Sequence, residues 1–318
     1  MSVPASLRAF LSGIVDYAGL FPPAQLPLDE AIRNYARYRT EAESWMLGRF
    51  ICPASRLHEL HRFQDELFEK GPPFAFSVLG RGAETSRDFL AAVERDVADI
   101  ERFRGQSERL QTQVYEVKLP EDLLASSAAE ALARCIQETR ARLQRLSKPL
   151  DCFFEAGILT PNGQSARQAI GMLSAAERSA PCMGFKMRCG GVAASAFPNA
   201  GQLSAVLANN GLTLKCTAGL HHPLHHWDSG VQVNMHGFVN VFGAGMLARK
   251  YSMSEQDIVT IIQDGNPASF SFTETSFRWK ELELTTREIA QLREQRMTSF
   301  GSCSFDEPRE DLKRLGWM

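Results

Sequence analysis

Between residues 46 and 218 the chain repeats one alternation, a short strand-like run followed by a longer helical one. The strand-like runs fall at 46–53, 74–79, 113–119, 151–156, 184–189 and 212–218, separated by helical stretches at 55–70, 86–104, 121–146, 164–178 and 200–210. Strands joined through helices run parallel, and a parallel sheet needs its faces covered. Further on, 238–251 and 254–263 read as helices, Phe270–Thr273 as a seventh strand, 285–297 as a helix, 299–305 as an eighth strand and 308–315 as a last helix. Eight such units close into a barrel of about 250 residues. The expected fold is therefore α/β, one (β/α)8 TIM-type barrel over 45–318 behind an N-terminal helical extension over 1–44 that packs on it. Within the extension, 5–17 and 28–43 read as helices. Asp16 and the turn Leu20-Phe21-Pro22-Pro23 are expected to plug the barrel's end or to line its mouth. A doubly wound sheet would carry a glycine-rich phosphate turn after its first strand, and Cys52-Pro53-Ala54-Ser55 contains no glycine.

Four consecutive strands then show one rule. Glu116 and Lys118 share a face in the third, Glu155 stands with Phe153 in the fourth, Lys186 and Arg188 share a face in the fifth, and Lys215 and Thr217 in the sixth. Apolar residues fill the opposite faces. In a barrel the helix-covered side is the apolar one, so the polar faces point inward, near the strand C-termini where barrel active sites are built. Lys186 and Lys215 fall on neighbouring strands. Two ammonium groups about 6 Å apart, at an effective dielectric near about 20, repel by about 3 kcal/mol, or about 2 pKa units. This repulsion favours a partly neutral lysine, able to attack a carbonyl, while Glu116 and Glu155 favour the ammonium form, and the sequence leaves the balance between the two open.

Leu-Thr-Leu-Lys-Cys-Thr-Ala-Gly-Leu-His-His-Pro-Leu-His-His at 212–226 loads the turn after the sixth strand with imidazoles. His221 and His222 are candidate proton-transfer groups, and His236 a candidate substrate ligand. A divalent metal on His221, His222, His226 and His236 is the alternative, although the spacing matches no standard zinc pattern. His58 and His61 belong on an outer helix surface. Gly190-Gly191 after Arg188, and Ser302 and Ser304 after Gly301, are candidate anion binders. Gly243-Ala244-Gly245 lies in a helical run and reads as packing.

A net charge of −2 offers no basic field for nucleic acid or an acidic membrane. No apolar stretch approaches the roughly 18 residues of a membrane span. The seven cysteines form no CxxC and read as reduced, mostly buried thiols. With no basic-then-apolar leader pattern at the N-terminus, the expectation is a cytoplasmic protein with a small anionic substrate, no nucleic-acid or membrane partner, and room for a homo-oligomer. No cofactor is expected, because neither a Walker loop nor GxGxxG occurs.

Asp16–Ala24, Phe185–Gly191 with Ala196-Phe197-Pro198, Leu214–His222, His236–Val241 and Gly301–Pro308 together resemble a bacterial protein family over most of the chain. That resemblance brings no activity with it. Over about a dozen residues the chain also resembles lysine-dependent barrel aldolases of the deoxyribose-phosphate aldolase type. Lys215-Cys216-Thr217-Ala218-Gly219 is similar to their Schiff-base strand Lys-Thr-Ser-Thr-Gly, and Lys186–Gly191 to their second-lysine strand Lys-Ala-Ser-Gly-Gly. In those enzymes the Schiff-base strand comes first; here the order is reversed.

The resemblance and the polar faces together imply an aldolase-like lyase on a small anionic carbonyl compound. Lys215 would form the imine, Lys186 would depress its pKa, and Glu155, His221 or His222 would move protons. Arg188, Lys118, Glu116, Thr217, Gly190, Gly191, His236, Ser302 and Ser304 would hold the substrate. A metal-dependent barrel hydrolase or isomerase, and a non-catalytic barrel binding a small anion, are the other two readings.

Overall fold

The computed structural model describes residues 3–69, 71–124, 128–159, 164–175, 181–209 and 211–318. Eight parallel strands close into a barrel: β1 (Val15–Tyr17), β2 (Leu47–Pro53), β3 (Phe74–Leu79), β4 (Leu110–Lys118), β5 (Asp151–Glu155), β6 (Met183–Arg188), β7 (Leu214–Thr217) and β13 (Met297–Ser302). The wall runs in chain order from β1 to β7, and β13 closes it by pairing with both β7 and β1. Helices α1 (Ala5–Leu11), α2 (Leu28–Tyr38), α3 (Ser86–Arg104), α4 (Ala129–Gln144), α5 (Gln164–Ala175) and α6 (Ala200–Leu207) lie among the first seven strands. An irregular helical stretch over Ala54–Phe63 and Gln64–Phe68 covers the β2–β3 connection.

Strand alternation separates two chemistries. Outward residues such as Phe50, Phe76, Tyr115, Phe154, Phe185, Cys216 and Phe300 are buried in the core between wall and helices. Inward residues include Asp16, Ser77, Glu116, Glu155, Lys186, Lys215 and Ser299, all buried.

The barrel is present, but two of its strands differ from expectation. Residues 5–17 are not one helix: α1 stops at Leu11, Gly13 takes a positive φ of 57°, and Val15–Tyr17 becomes the first barrel strand. The wall therefore begins inside the 1–44 stretch, and Asp16 is part of it rather than of a plug. Phe270–Phe272 is not a barrel strand. It is β10, paired antiparallel with β11 (Ser276–Trp279), which pairs with β12 (Leu282–Thr285). Its period-2 pattern is genuine, but a strand followed at once by two others through tight turns makes a meander, not a parallel neighbour.

The connection from β7 to β13 is the longest in the fold. It holds a hairpin of β8 (His226–Asp228) and β9 (Val233–Met235), then α7 (Phe238–Tyr251), α8 (Glu255–Ile262), the β10–β12 sheet and α9 (Thr286–Gln295). Helix α7 is buried from Phe238 to Ala248. Gly243 and Gly245 serve packing there, since a side chain at Gly245 would meet the Met297 sulfur 2.6 Å away. Thr285 and Glu288 form a reciprocal cap that starts α9. The last helix is α10 (Asp306–Arg314). No helix of the described residues is long and apolar enough to cross a membrane, and the seven cysteines are free thiols.

Candidate active site

The inward charges form a chain of alternating sign across the barrel. Arg49 lies 3.6 Å from Asp16 through its guanidinium and donates its backbone N–H to the same carboxylate at 2.7 Å. Asp16 pairs with Lys215 and accepts from Ser299 Oγ at 2.8 Å. Lys215 Nζ is 3.4 Å from Glu116 Oε1, and Lys186 Nζ is 3.0 Å from Glu116 Oε2. Lys186 also lies 3.1 Å from Glu155, whose other oxygen accepts from Arg188 Nε at 2.8 Å. Ser77 Oγ donates to Glu116. The string contains four cations and three carboxylates, drawn from β1, β2, β4, β5, β6 and β7. Well-packed apolar residues would give comparable or greater stability at such depth. A string this complete is therefore poorly explained by stability alone.

The lysines differ in access. A cavity of about 370 Å³ opens above the string, at the C-terminal ends of the strands, and Lys186, Glu116 and Arg188 line it. Lys215 does not. It lies beneath the floor, with 1 % of its side chain exposed. Thr217, one pleat higher on β7, does reach the cavity, as do Gly191 and His221.

Of the two opposed effects on the lysines, the carboxylates prevail at Lys186. Lys186 and Lys215 do occupy paired register positions, but Glu116 stands between them and neutralises the repulsion. Burial pulls the Lys186 ammonium down. Glu116 and Glu155 outweigh it and hold the group above its ordinary value of 10.5. Burial likewise pushes Glu116 up, yet Lys215 and Lys186 bring it down to about 2. Glu155 is lowered as well, burial being overcome by Lys186 and Arg188.

At the cavity's mouth the structure adds Cys303, which sequence reasoning missed, beside the expected His221. His221 and Cys303 line the cavity together, and His221 Nδ1 lies 3.2 Å from Glu307 Oε2. Burial lowers the imidazole, but Cys303 and Glu307 prevail and push it up to about 9. His221 thus favours its imidazolium form more than an ordinary histidine does. Cys303 lines the cavity beside it, so this thiol has a position that the other scattered cysteines lack. Phe21, Pro22 and Pro23 line the same cavity, so this turn belongs to the mouth.

Several expected ligands do not reach the cavity. Lys118 sits at the end of β4, largely exposed, 3.3 Å from Glu121. Gly190 is occupied by packing: a Cβ there would lie 2.8 Å from the Cα of Gly219, itself at φ 71°. Ser302 and Ser304 alternate away from Gly301 and Cys303. The Ser302 carbonyl accepts from the Ala18 N–H, and Ser304 Oγ accepts from the Glu307 N–H at 3.2 Å. His236 is buried on the Pro198 carbonyl at 2.7 Å. His222 turns to Asp311 on α10. His58 and His61 are exposed. The four histidines expected to share a metal are likewise not together. His221 and His236 lie elsewhere, while His222 and His226 approach Asp228 outside the cavity.

No family model matches the chain, and no curated protein matches it. Among solved structures it is similar to "QR15, an Aldolase", with 9 % identity and a TM-score of 0.45, over 67 % of this chain and 83 % of that one. It is also similar to the tetrameric deoxyribose phosphate aldolase from Aeropyrum pernix, with 9 % identity and a TM-score of 0.43, over 70 % and 87 % of the two chains. Likeness this distant carries no argument about chemistry or assembly. The barrel rests on its own strand pairings.

Proposed function

We propose that the protein is an aldolase-like lyase whose Schiff-base lysine is Lys186. The observation that carries this reading is that Lys186 alone of the two inward lysines meets the cavity, between the carboxylates of Glu116 and Glu155. Strand order points the same way, whereas the motif likeness of Lys215–Gly219 to the Schiff-base strand points to Lys215. In the aldolases that the lysine strands resemble, the Schiff-base strand precedes the second-lysine strand, and β6 precedes β7 here.

The substrate is a small carbonyl compound with an anionic group. The cavity's volume suits a molecule of a few carbon atoms, and Arg188 Nε engages Glu155 while its guanidinium lines the cavity as an anion ligand. The small fraction of Lys186 present as free amine, its proton released to solvent, adds to the carbonyl. Loss of water gives an iminium, which accepts the electron pair of the breaking carbon–carbon bond as the substrate's hydroxyl is deprotonated. The resulting enamine is reprotonated at carbon, and water releases the second product. His221, which favours its imidazolium form, is the acid nearest the mouth. Lys215 is a positioning residue: its charge holds Glu116 ionised from below.

The test is borohydride trapping with small aldehydes and ketones, free and phosphorylated, with the adduct located by peptide mass spectrometry. A reduced adduct on Lys186, absent from Lys186→Met, is expected. An adduct on Lys215, or one that persists in Lys186→Met, overturns the assignment.

A further inference from the structure

We propose that His222, His226 and Asp228 bind a zinc-class divalent cation on the outer side of the β7–α7 connection. This goes beyond the lyase reading and does not depend on it.

Among the described residues, these three form the one group of His, Cys, Asp and Glu side chains whose ligand atoms all lie within 4.8 Å of one another. Tetrahedral zinc, with bonds of about 2.0–2.2 Å, sets its ligands about 3.3 Å apart. All three residues are partly exposed, which leaves their side chains room to move toward one another. The His222 and His226 rings stand edge to face at 4.4 Å between centroids.

The hydrogen bonds around the rings point the same way. His226 Nδ1 lies 2.9 Å from the Leu224 carbonyl. A carbonyl only accepts, so Nδ1 carries the proton and Nε2 keeps a free lone pair. His222 Nδ1 is engaged by the Asp311 carboxylate, which fixes the same tautomer. A carboxylate or carbonyl behind each ring is the usual outer support of a zinc-bound histidine. Asp228 is set by Val231, whose N–H donates to Oδ1 at 2.8 Å. Two imidazoles and one carboxylate form a borderline donor set that favours zinc over calcium or magnesium. Arg314 is the nearby cation, and Asp311 Oδ1 is already paired with it.

The ligands span the loop after β7 and both ends of β8, and Asp311 ties His222 to α10. His221, one residue before the first ligand, faces the cavity. Zinc here would fasten the mouth loop to the last helix, leaving a fourth coordination position for water.

The test uses the full chain without a histidine tag, stripped with chelator and titrated with zinc against a chromophoric competitor. One equivalent is expected to bind with Kd in the micromolar range or tighter. His226→Ala and Asp228→Asn should each weaken it at least about tenfold, and Asp311→Asn by about 10-fold or more, while His225→Ala leaves it unchanged. Cobalt in place of zinc should give the visible absorption of a four-coordinate site, lost in His226→Ala. Zinc should raise the thermal midpoint of the wild type and not of His226→Ala. Binding weaker than millimolar, or binding that survives both His226→Ala and Asp228→Asn, overturns the proposal.

Discussion

Lys186 and Lys215 occupy paired positions on adjacent strands, and one carboxylate serves both: Glu116 Oε2 lies 3.0 Å from the first ammonium and Oε1 3.4 Å from the second. Two like charges side by side would weaken one another's proton affinity. A shared anion reverses this for Lys186. The cavity-facing lysine is consequently a strongly held ammonium at neutral pH, and any imine chemistry must draw on a small fraction of free amine.

That inversion sets the pH dependence. Adduct formation needs only the neutral Lys186 amine, so the trapping rate should climb with pH through neutrality and past 9 without a break, because the group's pKa is raised. Turnover also needs protonated His221. The logarithm of kcat/KM should rise with pH up to about 9 and then flatten, as each further gain in free amine is offset by loss of the imidazolium. His221→Gln should remove the bend from the turnover profile and leave the trapping profile unchanged. Matching profiles in the wild type would remove His221 from the reaction.

Glu116→Gln leaves both ammonium groups without their shared anion. Breaking a buried pair this way costs about 3–5 kcal/mol, readable as a lower urea midpoint. The free-amine fraction of Lys186 should rise at the same time, moving the trapping profile to lower pH. Acid exposes the same carboxylate from the other side. Its value falls from 4.5 unfolded to about 2 folded, so its stabilisation is present above 4.5 and lost as pH falls through 2. The loss is on the order of 3 kcal/mol. The stability gap between wild type and Glu116→Gln should narrow over that window, and a gap independent of pH would contradict the shared-anion account.

Gly219→Ala tests how the mouth is built. The position has φ 71°, and a Cβ would lie 2.7 Å from the Cα of Gly190 and 2.9 Å from the Cys189 carbonyl. Backbone cannot yield as a flexible side-chain tip can, so the substitution should destabilise by about 2 kcal/mol or more. Denaturant melts would show it. A change within about 0.5 kcal/mol would mean that the two loops separate freely.

The six strands from 46 to 218 were legible because each is a short run whose alternation puts aromatic and aliphatic residues outward. The same alternation identified Glu116, Glu155, Lys186 and Lys215 as inward. β1 escaped because it is three residues long, has an acid at its centre, and follows an amphipathic helix. Ser12-Gly13 before Ile14-Val15-Asp16-Tyr17 was the available signal, a helix stop ahead of an alternating run. With β1 went Asp16, the partner of Lys215. The difference in depth between the lysines was not readable either. Access depends on where the strands end and on which loops roof the cavity, and neither follows from the pattern of a single strand. Cys303 looked like one more buried thiol because its neighbour in the cavity, His221, comes from a loop far away along the chain.

The first and last wall strands are neighbours: Asp16 reaches Lys215 across 199 positions and Ser299 across 283. A ribosome making this chain releases Asp16 long before Ser299. Throughout that interval the first strand has no β13 beside it, and its carboxylate must stay in water or find another partner. Contacts so distant in sequence carry a large closure entropy and form slowly. The floor of the cavity is therefore completed only when the barrel itself closes. A nascent chain cannot carry a finished pocket, and a chain ending before β13 would have helices and most of a sheet but nothing to complete the hold on Asp16.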